Sequence, residues 1–235
     1  MSTAETESSG GYLAVPDPAA DAVPDAPWPG VVVVHDVFGM TPDLRRQADR
    51  LAAAGYIALA PDLWHGRSWP LCVRSAFRQF AAGSGPMLTE LETAASRLAA
   101  MDTCTGKIAV IGFCMGGGFA LLLAPREGFA AASVNYGPVP KAAERVLAGS
   151  CPVVASYGAK DRGMGRHASR LRDTLAKLDV PADVKVYPDA GHAFLNHYSG
   201  ARGALMKVAG MSYHPEAAAD AWRRILVFFG EHLRG

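Results

Sequence analysis

The segment Gly112-Phe113-Cys114-Met115-Gly116-Gly117-Gly118 follows the largely apolar run 107–111 and opens a second one, 115–124. A strand, then Gly-x-Cys-x-Gly, then a helix is the nucleophile-elbow pattern with cysteine in the nucleophile position. The turn is so tight that residues two before and two after the nucleophile crowd together, and Gly112 and Gly116 remove the side chains that would clash. The helix that follows directs its first N–H groups and its positive dipole end at the sulfur, an environment that favours a thiolate. The same glycines do not make a dinucleotide loop. Gly116-Gly117-Gly118 runs into Phe119-Ala120-Leu121 and breaks the Gly-x-Gly-x-x-Gly frame.

A nucleophile needs a base, and the base needs a group that orients it. On this type of elbow the chain order is nucleophile, acid, histidine. Downstream of Cys114, Asp161 and His192 each follow an expected strand in that order. Asp189 is an alternative acid, but it lies on the same loop as His192, three residues before it. Two backbone N–H groups are expected to receive an oxyanion: Met115, just after the nucleophile, and Val37, in the loop after an earlier strand. Cys72, Cys104 and Cys151 read as small core hydrophobes or bystanders, and His197 and His214 as surface residues.

These residues need a scaffold that brings strand ends together. Residues 31–35, rich in valine, suit a strand buried on both faces. Thr41 and Pro42 then open a helix, with Leu44, Ala48, Leu51 and Ala52 on one face and Gly55 ending it. Further strands are expected at 56–60, 107–111, 131–136, 152–157 and 182–187. Helices are expected around Leu91–Met101, at 115–124, along Ala168–Leu178, and from Pro215, with Ala218, Trp222, Ile225, Leu226 and Phe229 on one face. Alternating strands and helices predict an α/β, doubly wound, mostly parallel sheet with helices on both faces. In such sheets active sites gather at the carboxyl ends of strands. Residues 1–30 are expected to be a lead-in with a short edge strand at Tyr12–Val15, and 31–235 one domain.

Composition bounds the function. The chain has 235 residues, half hydrophobic, which is enough for a sizeable core, and its formal net charge is +1. That balance gives no basic field for nucleic acid. No apolar stretch reaches the ~20 residues of a membrane helix, and the first 30 residues lack a signal-peptide pattern. Four cysteines are too few for a disulfide scaffold. No His-Glu-x-x-His, paired Cys-x-x-Cys or Walker loop is present, so neither a metal nor another cofactor is expected. The expectation is a cytoplasmic, monomeric protein acting on a small molecule.

Taken together, the elbow around Cys114, the early His35-Asp36-Val37-Phe38-Gly39 and the late Ala190-Gly191-His192-Ala193-Phe194 resemble the dienelactone hydrolase family. The resemblance runs from about residue 31 to the end. It implies an α/β-hydrolase fold, a Cys114-His192-Asp161 triad and hydrolysis of an enol-lactone through an acyl-enzyme, with Met115 and Val37 as oxyanion donors. It also implies that Asp36 modulates the resting nucleophile, in a position where the family carries glutamate. The family holds a substrate carboxylate with arginines. Here Asn196 stands where one is expected, and Arg74 and Arg78 are candidates for the other. The insertion at 197–212 is expected to shape the pocket mouth. A thioesterase or broader carboxylesterase, with an apolar pocket around Phe38, Trp64 and Trp69, is the alternative; a binding protein without turnover is a third reading.

Overall fold

A computed structural model describes residues 3–6, 11–21 and 23–234 of the chain, with backbone alone at 3–6, 201 and 202. In chain order the elements are β1 (Thr3–Thr6), β2 (Tyr12–Val15), β3 (Trp28–Val34), α1 (Pro42–Ala53), β4 (Ile57–Ala60), α2 (Trp69–Ala82), α3 (Pro86–Ala99) and β5 (Cys104–Phe113). There follow α4 (Met115–Leu123), β6 (Ala131–Asn135), α5 (Ala143–Val146), β7 (Val153–Gly158), α6 (His167–Lys177), β8 (Ala182–Tyr187), α7 (Gly200–Val208) and α8 (Pro215–Leu233).

The strands form one sheet in the order β1-β2-β4-β3-β5-β6-β7-β8. From β4 to β8 all neighbours are parallel, and β1 and β2 join antiparallel. The valine run of β3 is buried on both faces, with Val31, Val32, Val33 and Val34 fully covered. This is what a central parallel strand under two helical layers requires. Tyr12–Val15 is indeed a strand, but it is not at the edge: β1 pairs outside it and β4 inside. β3 also starts earlier than the valines indicate, at Trp28. Its start includes Pro29 and Gly30, residues that read as loop because both are rare inside strands.

The helices end where their caps put them. Thr41 Oγ1 accepts the Leu44 N–H at 3.2 Å, with Pro42 in the first turn of α1. His214 Nδ1 accepts from Ala217 N at the start of α8, with Pro215 next to it. His214 is therefore a helix cap, in line with its reading as a residue outside the site.

The chain moves from β3 outward to β4, then returns past β3 to β5. The sheet order reverses there, the kind of point at which open α/β sheets place their sites. The residues singled out for chemistry leave β3 (Asp36–Gly39), β5 (Cys114), β7 (Asp161) and β8 (His192), all at the same edge of the sheet. Among the described residues no helix is long and apolar enough to cross a membrane.

Candidate active site

Cys114 sits between the last residue of β5 and the first of α4, with φ 54° and ψ −117°. A non-glycine residue in that region is strained and persists only when its surroundings hold it. Here they do. The Cys114 N–H donates to Asn135 O at 3.0 Å, and its own carbonyl accepts from Gly117 N at 3.0 Å. A Cβ on Gly112 would lie 2.0 Å from Gly116 O, and one on Gly116 would lie 2.3 Å from Val34 O. The glycine requirement read from the sequence is thus a backbone-against-backbone contact on both sides of the cysteine. The first turn of α4, Met115-Gly116-Gly117, is buried, and the Gly117 and Gly118 N–H groups both donate to the Cys114 carbonyl.

His192 and Asp161 meet beside it. His192 donates Nδ1–H to Asp161 Oδ2 at 2.5 Å, and the other carboxylate oxygen accepts from Gly163 N at 3.1 Å. Asp161 is only 7% exposed. Burial alone would lower the imidazole pKa. The hydrogen bonds to Asp161 and to the Cys114 thiol, with the charges of both, outweigh it and raise the pKa to about 10. With Nδ1 committed to Asp161, Nε2 is the nitrogen left to serve the thiol. Asp189 does not compete for the imidazole; it is exposed and paired with Lys160 at 3.2 Å.

The His192 ring is also held from behind. Tyr136, at φ 43° and fully buried, packs edge-on against it with centroids 5.1 Å apart. The Tyr136 hydroxyl donates to Asn196 Oδ1, and Asn196 Nδ2 donates to Asp43 Oδ2 at 2.8 Å. Asp43 also accepts from Gln47 Nε2, Arg46 and His197 N. This buried chain ties the loop after β8 to the first turn of α1. Tyr136 and Asp43 escaped the sequence reading. The former stands immediately after β6, so its place at a strand end was the available signal.

On the facing side, the Asp36–Gly39 turn is closed by Asp36 Oδ1, which accepts Phe38 N–H at 2.7 Å. Asp36 Oδ2 accepts the Tyr198 hydroxyl. The Val37 carbonyl accepts Trp69 Nε1–H at 2.6 Å. The N–H groups of Val37 and Met115 have no acceptor among the described residues. His35, just before the turn, donates Nδ1–H to Asp36 O at 2.6 Å and accepts Leu63 N–H on Nε2 at 3.2 Å. Its complete burial lowers its pKa to about 4, so it is neutral at ordinary pH.

A cleft of about 650 Å³ opens over the cysteine, lined by Cys114, Asp161 and His192 and walled by Met164, Val208 and Met211. Lys160 and Arg162 stand at its rim. The insertion after His197 therefore does form part of the mouth, through the end of α7. Arg74 and Arg78 are exposed on α2 and line no part of this cleft. Asn196 is 3% exposed, with its side chain spent on Tyr136 and Asp43, so the structure turns it into the protein and away from the cleft. An asparagine there fits because its amide serves an acceptor and a donor at once, which a guanidinium cannot do. Phe38 is half-buried against Tyr198, with ring centroids 5.5 Å apart, and is also outside the lining. Among the described residues no group of three His, Cys, Asp or Glu side chains could hold a metal ion.

The sequence profile of the dienelactone hydrolase family matches residues 11–233. The chain is 32% identical over 235 residues to a Yersinia pestis protein named "Putative carboxymethylenebutenolidase", covering 92% of this chain and 84% of that one. It is 28% identical to a carboxymethylenebutenolidase of Rhodococcus opacus, covering 86% and 81%. Among solved structures it resembles a dienelactone hydrolase-like promiscuous phosphotriesterase from metagenomic libraries, with a TM-score of 0.76 and 25% identity over 94% of this chain and 92% of that one.

Proposed function

This chain belongs to the dienelactone hydrolase family, and we propose that it cleaves its substrate with Cys114 as nucleophile, through an acyl-enzyme. It has the α/β-hydrolase fold and is a hydrolase of carboxylic esters or lactones. The observation that carries the cysteine reading is the placement of His192 between Asp161 and a strained Cys114 at the foot of one cleft.

In this reading His192 Nε2 holds the proton drawn from Cys114, and the thiolate attacks the carbonyl carbon. The carbonyl oxygen gains the negative charge and moves towards the Met115 and Val37 N–H groups, which have no acceptor among the described residues. Collapse of the tetrahedral intermediate expels the alkoxide or enolate, which His192 protonates. A water molecule then gives His192 a proton, attacks the thioester and releases the acid with the free thiol. Asp161 keeps Nδ1 protonated and steadies the imidazolium. Asp36, buried next to the turn that carries Val37, modulates the resting site. Four cysteines without disulfides support a cytoplasmic setting.

A second reading is favoured by the cleft walls. Met164, Val208 and Met211 are apolar, and neither Arg74 nor Arg78 reaches the cleft. These walls fit an ester or thioester with an apolar group, whereas a lactone carboxylate would have to be met by Lys160 or Arg162. Hydrolysis of a dienelactone and of an aryl acetate, by wild type and Cys114→Ala side by side, separates the readings. Fast lactone opening that vanishes in Cys114→Ala supports the lactonase. Turnover of the aryl ester alone, again lost in the variant, supports the esterase. Undiminished turnover in Cys114→Ala refutes both.

A further inference from the structure

We propose that Tyr198 is a positioning residue of the reaction, holding the Asp36–Gly39 turn so that the Val37 N–H faces the developing oxyanion. The proposal rests on the acyl-transfer reading above and adds to it a residue from the insertion at 197–212.

The turn has no sheet or helix to define it. Gly39 takes φ +75°, and the Trp64 ring lies 2.5 Å from where its Cβ would be. Trp69 Nε1 anchors the Val37 carbonyl from α2. Inside the turn the Asp36 carbonyl accepts His35 Nδ1–H at 2.6 Å and Gly39 N–H at 3.3 Å, and Asp36 Oδ1 binds the Phe38 N–H. A carboxylate held by one oxygen still rotates about its χ angles, and rotation would release the Phe38 N–H and loosen the Val37–Phe38 peptide, the neighbour of the plane that bears the Val37 N–H and that His35 holds through the Asp36 carbonyl. The Tyr198 hydroxyl binds the second oxygen, Oδ2. Its ring meets Phe38 at 5.5 Å with planes 79° apart. Tyr198 thus grips both neighbours of Val37, one through its hydroxyl and the other through its ring. Burial and the Asp36 carboxylate both push the phenol pKa up, which keeps the hydroxyl a donor throughout the working pH range.

The placement has a second consequence. Tyr198 lies six residues beyond His192 on the same loop, and His197 N and Asn196 in between are pinned to Asp43. One loop therefore sets both the base and, through Asp36, the oxyanion donor. Errors in either scale directly into rate, because a misplacement of about 1 Å can cost up to 10²-fold.

Tyr198→Phe removes the hydroxyl and keeps the ring against Phe38. For an aryl acetate we expect kcat to fall about tenfold or more, with KM changed less than about twofold. Alkylation of Cys114 by iodoacetamide forms no oxyanion, so its rate should stay within about twofold of wild type. Asp36→Ala should lower kcat at least as much, and the double variant should be no slower than Asp36→Ala alone, because Tyr198 acts through Asp36. An unchanged kcat, a loss confined to KM, alkylation that slows in step with turnover, or additive losses in the double variant would each overturn the proposal. Turnover that survives Cys114→Ala would instead overturn the acyl-transfer reading itself.

Discussion

The His192 Nδ1–H and the Asp161 carboxylate meet at 2.5 Å across the ends of two adjacent parallel strands, β8 and β7. The register that pairs Gly158 with Tyr187 brings the two loops side by side, and the pairing follows from the sheet rather than from either loop. Asp161→Asn should keep the fold and lose the anion that steadies the imidazolium. We expect kcat for an aryl acetate to fall about 10²–10⁴-fold, measured against wild type at matched pH. A loss below about threefold would mean that Asp161 does not orient the base.

The elbow glycines make a stability prediction. Gly112→Ala would set a Cβ 2.0 Å from Gly116 O, backbone against backbone with no flexible side chain to yield. It should destabilise the protein by more than about 3 kcal/mol in urea unfolding, if it folds at all. Gly230→Ala is the control. It lies within α8 with nothing within 4 Å, and should stabilise by about 0.5–1 kcal/mol. Equal midpoints for the two variants would contradict the account of the elbow.

Asn196 tests whether its position belongs to the substrate or to the protein. Asn196→Ala strands the Tyr136 hydroxyl inside the molecule and leaves Asp43 Oδ2 with Gln47 Nε2 alone, and should cost about 1–3 kcal/mol of stability. Turnover should fall with it, because Tyr136 packs on the His192 ring. Asn196→Arg should destabilise further without lowering KM for a lactone carboxylate. A lowered KM in that variant would place the position in the cleft after all.

Two histidines give the stability a maximum in pH. His35 is buried neutral with its pKa lowered to about 4. Between its unfolded value near 6.5 and pH 4 the unfolded chain binds the proton and the folded chain does not, so stability present above 6.5 is lost as pH falls. At about 1.4 kcal/mol per pH unit this is on the order of 3 kcal/mol. His192 has the opposite sign. Its pKa is raised, so its contribution is full below 6.5 and is lost as pH rises towards about 10. Urea midpoints should therefore peak near pH 6–7. A profile flat from pH 4.5 to 6.5 would show that His35 is not buried neutral.

Much of this site could be read before any coordinates. Cys114 stands out because a nucleophile elbow needs glycine on both sides of it, and Asp161 and His192 because they close the expected strands; the structure brings the three to one cleft. Thr41 and Pro42 mark the start of α1 through capping chemistry that acts locally. The misses have a common cause. β3 begins at Trp28, before the valines, because pairing with β5 overrides the local preference against Pro29 and Gly30. The helices α2 and α7 lacked a readable apolar stripe. Trp69 and Phe77 on α2 and Leu205 and Val208 on α7 are exposed, so their apolar residues do not mark a buried face. Tyr136, Asp43 and Tyr198 contact partners 56 to 162 residues away in sequence, and no local pattern encodes such pairings. Asn196 and Arg74 illustrate the converse: a position matched to a family motif says nothing of which way its side chain turns.

The central claim is a covalent intermediate on Cys114. Wild type should be mixed with excess aryl acetate, quenched in acid within the first turnovers, and weighed intact and after digestion. The account predicts a gain of one acetyl group on the peptide carrying Cys114, and none in Cys114→Ala. Steady turnover with no adduct on that peptide, matched by an active Cys114→Ala, would contradict it.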